Sequence, residues 1–341
     1  MTTPIAKSYV QPTPGDVHVD QTLTSLSTAY MQDASAFIAR QVFPIIPVAK
    51  QSDLFWTYDR GTFNKDLMEL RAPGAPTPGI THTLSRDSYF ARVWGLHEDI
   101  ADQVRANTDS PLSMEQDAVD IITRAAMLRM EREWIGTAMT SSAWNIKAAG
   151  ANSDNTTALD ANGAQRKKWS DATSDPIQLV RAARRTMQKR TGYMPNVMIL
   201  GPTVYDTLVD HPDIIARLDR GQTPGGPAMA EEAALARLFK IDNILTTEAI
   251  YNSAAEGQDT ETQFVSDSDV LMLYRPDRPG WKVPSAGYTF VWNGYAGAPT
   301  EGARMKRFRL EEIASDRIEG EMAFTCKITG SDLGVYFSSM V

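Results

Sequence analysis

Four histidines, one cysteine and one run of basic residues are the places where this chain could do chemistry. His18, His82, His97 and His211 show no i, i+4 metal spacing and no HExxH, so no zinc-hydrolase pattern is present. His97-Glu98-Asp99 offers a base beside two carboxylates, the ingredients of proton transfer. It closes a strand pattern, however, and reads as a solvated end. His211-Pro212-Asp213 reads as a helix stop with Pro212 at the first position of the next helix. ILGPTVYDTL follows a strand and opens a helix, as phosphate loops do. It lacks the lysine and hydroxyl of GxxxxGK[ST], so Gly201-Pro202 reads as a turn. NGYAGAPTEG (293–302) lacks dinucleotide spacing, and GxSxG is absent. The single cysteine, Cys326, excludes an intrachain disulfide framework and a Cys-rich zinc module. Alternating with Phe324 and Ile328, it reads as a small core residue. No cofactor and no metal is expected.

RMKRFR places Arg304, Lys306, Arg307 and Arg309 around Phe308, a pattern found in nucleic-acid patches. The next residues, LEEIASDRIEGE, supply carboxylates, so cross-strand or intersubunit ion pairs are preferred. Such exposed pairs are individually worth less than about 1 kcal/mol. With 34 basic against 42 acidic residues the net charge is −8, which argues against a dedicated nucleic-acid binder. The chemistry is therefore thin, and the elements carry more information.

The chain has 341 residues, enough for one large domain or two to three smaller ones. Its first residues have no apolar core of a secretory signal, and no apolar run approaches a membrane span. A cytosolic origin is expected. Residues 1–35 are rich in Thr, Ser, Gln and Pro and read as an extended arm, with a short helical turn around Leu23–Tyr30. Residues 36–74 are aromatic and broken by Pro44, Pro47 and Pro73, which confines strands to edges. This segment reads as one that reaches out to pair with something else. Phe55, Tyr58, Phe63 and Leu67 alternate with polar residues, and Asp59-Arg60-Gly61 is a hairpin signal. SYFARVWGLHEDI (88–100) returns as a strand, completing a long two-stranded loop that is marginal alone and rests on a neighbour.

Residues 113–140 carry the strongest helix pattern, with Ser113 and Gln116 as a capping box. Met114, Ala118, Ile121, Ile122, Ala125, Leu128 and Ile135 form its apolar spacing, and Ile121 and Leu128 are expected to face the C-terminal strands. Residues 141–174 are polar and read as a loop. Asp175-Pro176 opens a helix to about Gly192. PNVMILG is a buried strand, 202–211, 212–219 and 231–239 are helices, and 242–252 and 268–276 are strands, which together describe an α/β unit. GQTPGGPAM (221–229) reads as a mobile turn. Residues 303–313 and 317–329 alternate and pair across the turn at 314–317, and GVYFSSMV adds a last strand.

Several blocks resemble the major capsid proteins of tailed bacteriophages, the Hong Kong phage fold: QVFPIIPVAKQSDLFWTYDRG, MELRAPG, DQVRANTDSPL, NVMILGPTVYDTLVDHPDI, PSAGYTFVW and MKRFRLEEIASDRIEGEMAFTCKITGSDLGVYFSS. The resemblance implies an α+β fold with an N-terminal arm (1–35) and an extended E-loop region (36–100). A peripheral domain (101–174) would contain the spine helix 113–140. An axial domain (175–300) would surround the capsomer axes, and 301–341 would complete the peripheral domain. It implies a non-enzymatic shell subunit that assembles with itself as hexamers and pentamers. The implied partners are portal, scaffold and decoration proteins and packaged double-stranded DNA, held weakly and without sequence specificity, with no membrane. The virion would be its location, after assembly in the host cytoplasm. Because the chain starts directly with the arm, a separate scaffold or a cleaved precursor is implied. Intersubunit contact candidates are Phe55, Trp56, Tyr58, Asp59, Arg60, Lys65, Arg71, Gln222, Pro224, Arg304, Lys306, Arg307 and Arg309. Some relatives cross-link lysine to asparagine; Lys65 lies in the loop, without an identified partner. The competing readings are a cytosolic α/β enzyme and a nucleic-acid-binding protein using 304–309.

Overall fold

The computed structural model describes residues 32–58, 65–68, 70–71, 73–74, 77, 79, 84–107, 113–219, 232–255, 257–259, 261–280, 283–294 and 303–341. The expected turn at 23–30, the hairpin residues 59–61, and the loops 221–229 and 295–302 lie outside these residues.

Two sheets organise the fold. The five-stranded sheet is built on β14 (Ser315–Ile328). Its first part lies between β4 (Arg92–Ala101) and β13 (Ala303–Leu310), and its last residues pair with β12 (Gly287–Trp292). β1 (Ile45–Val48) forms the edge, parallel to β12, with Pro47 opposite Val291. Proline at an edge follows from its missing N–H. The 13–14 hairpin closes through a 3-10 turn at Glu311–Ile313, with Ala314 at φ 44. The turn is therefore three residues earlier than expected, because Ser315 and Asp316 already belong to the ladder.

The second sheet runs β6-β5-β15-β11-β7-β8. Its strands are β5 (Ile146–Ala151), β6 (Gln165–Lys167), β7 (Val197–Leu200), β8 (Asn243–Thr246), β11 (Val270–Leu273) and β15 (Gly334–Ser338). The segment 141–174 is thus not simply a loop: two of its stretches are strands, and Leu159, Ala164 and Trp169 are buried. Residues 242–252 hold two strands, β8 and β9 (Ile250–Asn252), the latter paired with β10 (Thr262–Phe264).

Helix α1 (Ala39–Val42) precedes β1, α2 (Asp102–Ala106) follows β4, and α3 (Met114–Ala138) is the expected strut. At 1.5 Å per residue its 25 residues span roughly 37 Å. Ser113 is at its N-cap position but makes no side-chain cap bond, so the capping box is not formed. The buried face matches the expected one only in part. Ile121 is 50% exposed, whereas Ala118, Ile122, Met130, Trp134, Ile135 and Ala138 are buried, and Leu128 is half-buried. The helix crosses β14 where Gly320 has no side chain; a Cβ there would meet Ile122 Cγ2 at 2.3 Å. That close approach selects Ile122 over Ile121.

The helices of the second unit start where local signals place them. Asp175 accepts the Gln178 N–H, and Pro176 opens α4 (Pro176–Thr191). α5 (Pro202–Val209) begins after Gly201, where a Cβ would meet the Asp267 carbonyl oxygen at 1.8 Å. His211 is buried and joins α5 to α6 (Pro212–Asp219). Its Nδ1 accepts the Asp213 N–H at 3.2 Å, which leaves the ring proton on Nε2, 3.1 Å from Ser174 Oγ. α7 (Glu232–Phe239) packs beside α4, with Arg184 donating to the Phe239 carbonyl.

The segment 38–43 corrects an expectation. Ile38, Ala39, Val42 and Phe43 are buried in this chain's own core, with Phe43 edge-on to Trp134 at 6.1 Å. Glu131, also buried, accepts the Ala39 N–H at 2.8 Å. Burial pushes its carboxyl up to about 7, against the downward pull of the Ala39 and Ile38 N–H groups. A carboxyl that binds its proton more tightly folded than unfolded lowers stability wherever the unfolded chain has already ionised. The penalty is absent below the unfolded value of 4.5, grows as pH rises, and is complete above about 7. Its size is about 3 kcal/mol. Glu131→Gln is therefore expected to raise stability by up to that amount at pH 8 and to change little at pH 4, as read by urea unfolding at both pH values. A gain of equal size at both would show that ionisation is not the cause.

Candidate assembly surface

β2 (Ser52–Tyr58) pairs antiparallel with β3 (Leu84–Phe90), with Ser52 opposite Phe90 and Tyr58 opposite Leu84. The strand before 59–61 therefore pairs with 84–90, not with the residues that directly follow the turn signal. The returning segment 88–100 breaks at Ala91 into β3 and β4, because there it leaves β2 and joins β14. Tyr89 and Ala91 are buried but Val93 is 40% exposed, so the buried alternation ends at Ala91.

The ribbon has two unlike faces. On the inner face, Tyr89 stacks on Phe290 at 4.6 Å and Phe55 lies 5.8 Å from the same ring. Val48 and Tyr288 complete this small cluster, and Lys327 reaches Asp87 at 3.0 Å. The ribbon's base is thereby held by its own subunit. On the outer face, Leu54, Trp56 and Phe90 are 57%, 51% and 56% exposed, and Arg86 covers Trp56 at 4.2 Å. Farther along, Met68 and Leu70 are almost fully exposed. A concentration of large exposed apolar side chains marks an interaction surface.

Of the ribbon candidates, Phe55 is committed to its own subunit, while Trp56, Lys65 and Arg71 are exposed. Tyr58 ends β2, and Asp59, Arg60, Gln222 and Pro224 lie outside the described residues. Leu54 and Phe90 belong with Trp56. The sequence signal was available, since Leu54 and Trp56 share parity along one strand.

The 304–309 residues form ion pairs within the chain. Arg304 and Lys306 meet Glu321, the latter at 3.0 Å. Arg307 reaches Glu115 at 2.8 Å and Asp316 at 2.9 Å, and Arg309 meets Asp102 at 2.6 Å. Hydrogen bonds from Arg307 and Arg105 hold Asp316 down to about 2. Burial pushes Glu321 up, but Arg304 and Lys306 outweigh it and hold it at about 2. The network ties β13 to β14 and to the first turns of α2 and α3. Beside it lies an apolar groove of about 340 Å³ lined by Trp94, Leu96, Met127, Met130 and Met305, with Arg129 stacked on Trp94 at 3.7 Å.

His97 is exposed, and Asp99 is engaged by Arg317 at 2.6 Å. Cys326 is buried, and desolvation pushes its thiol up to about 12, so it is unreactive where it sits. No group of three or more His, Cys, Asp or Glu side chains among the described residues is arranged to hold a metal. No helix among them is long and apolar enough to cross a membrane.

The two-sheet fold with its strut and ribbon is that of phage capsid subunits. It is similar to a crystal structure of a phage-related protein from Bordetella bronchiseptica, with a TM-score of 0.67, 20% identity and coverage of 94% of this chain and 97% of that one. It is also similar to the capsid structure of Cyanophage P-SCSP1u, with a TM-score of 0.56, 15% identity and coverage of 97% and 99%. The model of the family described as phage major capsid protein E matches residues 154–280. The major capsid protein of Burkholderia phage BcepMu is 24% identical over 327 residues, covering 94% of this chain and 96% of that protein. By fold the chain is like phage capsid structures, and by sequence it is similar to phage major capsid proteins along nearly its whole length.

Proposed function

We propose that this chain assembles with itself as pentamers and hexamers into an icosahedral head shell that encloses double-stranded DNA. The observation that carries the reading is the ribbon: its base is anchored on the subunit, while Leu54, Trp56, Met68 and Leu70 stand exposed. In a closed shell each such contact can be weak, because closure adds many of them. In this reading 1–35 is the arm, 36–100 the E-loop region, 101–174 and 301–341 the peripheral domain and 175–300 the axial domain. Gln222 and Pro224 belong to a loop at the capsomer axis. Assembly takes place in the host cytoplasm with scaffold, portal and decoration proteins, and the role is structural, with no catalytic step. The pairing of Arg304, Lys306, Arg307 and Arg309 with carboxylates of the same chain favours an architectural use over nucleic-acid binding by that strand. Size-exclusion chromatography and electron microscopy of the purified full chain test the reading. Rings or closed shells of many subunits are expected. A monomer that persists at high concentration, and with its scaffold present, would contradict it.

A further inference from the structure

Helix α4 carries five cations, Arg181, Arg184, Arg185, Lys189 and Arg190, and no carboxylate, in a chain whose net charge is −8. Two of the five have structural work: Arg184 donates to the Phe239 carbonyl, and Arg190 pairs with Asp332 at 2.8 Å and Asp160 at 3.6 Å. The other three, Arg181, Arg185 and Lys189, recur every fourth residue, are exposed, and have no hydrogen-bond or ion-pair partner among the described residues. The same register buries Val180, Ala183 and Met187, so the helix cannot turn this stripe inward. The adjacent helix α7 adds Arg237, with Lys240 just beyond its end, both exposed and likewise unpaired. The carboxylates flanking these elements are Asp175 at the N-cap of α4, Glu232 in the first turn of α7 and Asp242 beyond its end. In contrast to 304–309, where carboxylates of the chain consume the charge, this face keeps it.

We propose that the α4–α7 face is the surface through which the shell subunit meets packaged duplex DNA, and hence that this face of the α/β unit is turned to the lumen. The inference rests on the shell reading above and names the surface and ligand chemistry within it. Four residues of helix rise about 6 Å, close to twice the 3.4 Å phosphate rise along one strand. Three cations at that interval can follow one strand's backbone without reading bases. Phosphate contacts of this kind are independent of sequence. The acidic remainder of the chain limits the total attraction, so contact is local and reversible. An acidic protein such as a scaffold is the competing occupant; it would not need the regular spacing that the stripe shows.

The test uses unassembled full-length protein, a 30-base-pair duplex of arbitrary sequence and fluorescence anisotropy across a salt series. In Arg181→Gln/Arg185→Gln/Lys189→Gln the slope of log affinity against log salt is expected to fall in magnitude by about 2.7. The loss of affinity between 50 and 200 mM salt should then be about forty-fold smaller than in the parent. The urea midpoint should be unchanged, because the three side chains are exposed. An unchanged slope, or a parent protein that does not bind duplex at 50 mM salt, overturns the proposal. Polyglutamate that binds the parent more tightly than duplex, and loses that binding in the variant, overturns it in favour of an acidic protein. Electron microscopy of the same variant separates the two levels. If the variant forms shells while the slope is unchanged, only the DNA surface is wrong. If neither protein forms shells, the shell reading fails whatever the slope shows.

Discussion

A subunit in which an Asn-Gly turn replaces residues 59–83 is expected to fold, remain soluble and form no shells. The register makes the deletion feasible: Tyr58 and Leu84 lie directly opposite each other, the geometry that a two-residue hairpin turn closes. The anchors at the ribbon's base are retained: the Tyr89–Phe290 stack and the Lys327–Asp87 pair. What is removed includes Met68 and Leu70, 92% and 104% exposed, which contribute nothing to this subunit's core. Shortening the loop from 25 residues to two lowers the entropic cost of closure by about 2 kcal/mol, since each halving is worth about 0.6 kcal/mol. Stability of the isolated subunit should therefore rise by about 2 kcal/mol or less in urea. Assembly should respond all or none, because the same contact disappears from every subunit and shell closure multiplies the loss. Circular dichroism establishes folding, and electron microscopy scores shells. Normal shells from the deletion would remove the loop from the assembly mechanism. An unfolded product would return it to the core.

The parts of the fold that were legible in the sequence are those fixed by local chemistry. Asp175-Pro176, Gly201-Pro202 and His211-Pro212 each mark a helix start, because a cap, a missing N–H or a tight turn acts within a few residues. The sheet formed by β5 and β6 was not legible. IKAAGA is small and weakly patterned, and the strand it pairs with, Gly334–Ser338, lies nearly two hundred residues later. The face of α3 was ambiguous for a different reason: apolar residues occupy more than one side of it, so periodicity alone could not choose between Ile121 and Ile122. The contact with Gly320 made that choice, and it is a tertiary fact. Prolines in 36–53 correctly placed β1 at an edge, but the partner is β12 of the same chain. For the candidate assembly surface, strand alternation places Phe55 and Trp56 on opposite faces, yet which face meets Phe290 depends on the five-stranded sheet. The cross-strand pair Arg304–Glu321 follows from hairpin register, whereas Asp102 and Glu115 reach the network through folding alone.

That burial of 38–43 sets up the other large effect. Trp134 is fully buried on α3 and receives Phe43 edge-on, so it joins the strut to the segment that leads into the ribbon. Trp134→Ala is expected to destabilise the subunit by about 3–5 kcal/mol, the range for deleting a buried aromatic side chain and leaving a cavity. Against a total of about 5–15 kcal/mol for a domain, that is a large fraction. The indole N–H of Trp134 has no hydrogen-bond partner among the described residues, so its polar group adds nothing to offset the loss of packing. Trp134→Phe should consequently be mild, under about 1.5 kcal/mol, since it keeps most of the volume and removes the unpaired donor. Urea unfolding of the loop-deleted subunit avoids interference from assembly. A second readout distinguishes local from global damage. If Trp134 and Phe43 act as one unit, Phe43→Ala in the Trp134→Ala background should add clearly less than it does alone, because neighbouring residues that share a cavity do not behave additively. Full additivity of the two substitutions, or a loss below about 1 kcal/mol for Trp134→Ala, would mean that the segment is not clamped by the strut. The ribbon would then be fixed to the subunit through the contacts of Tyr89 and Phe55 with Phe290 and the Lys327–Asp87 pair instead.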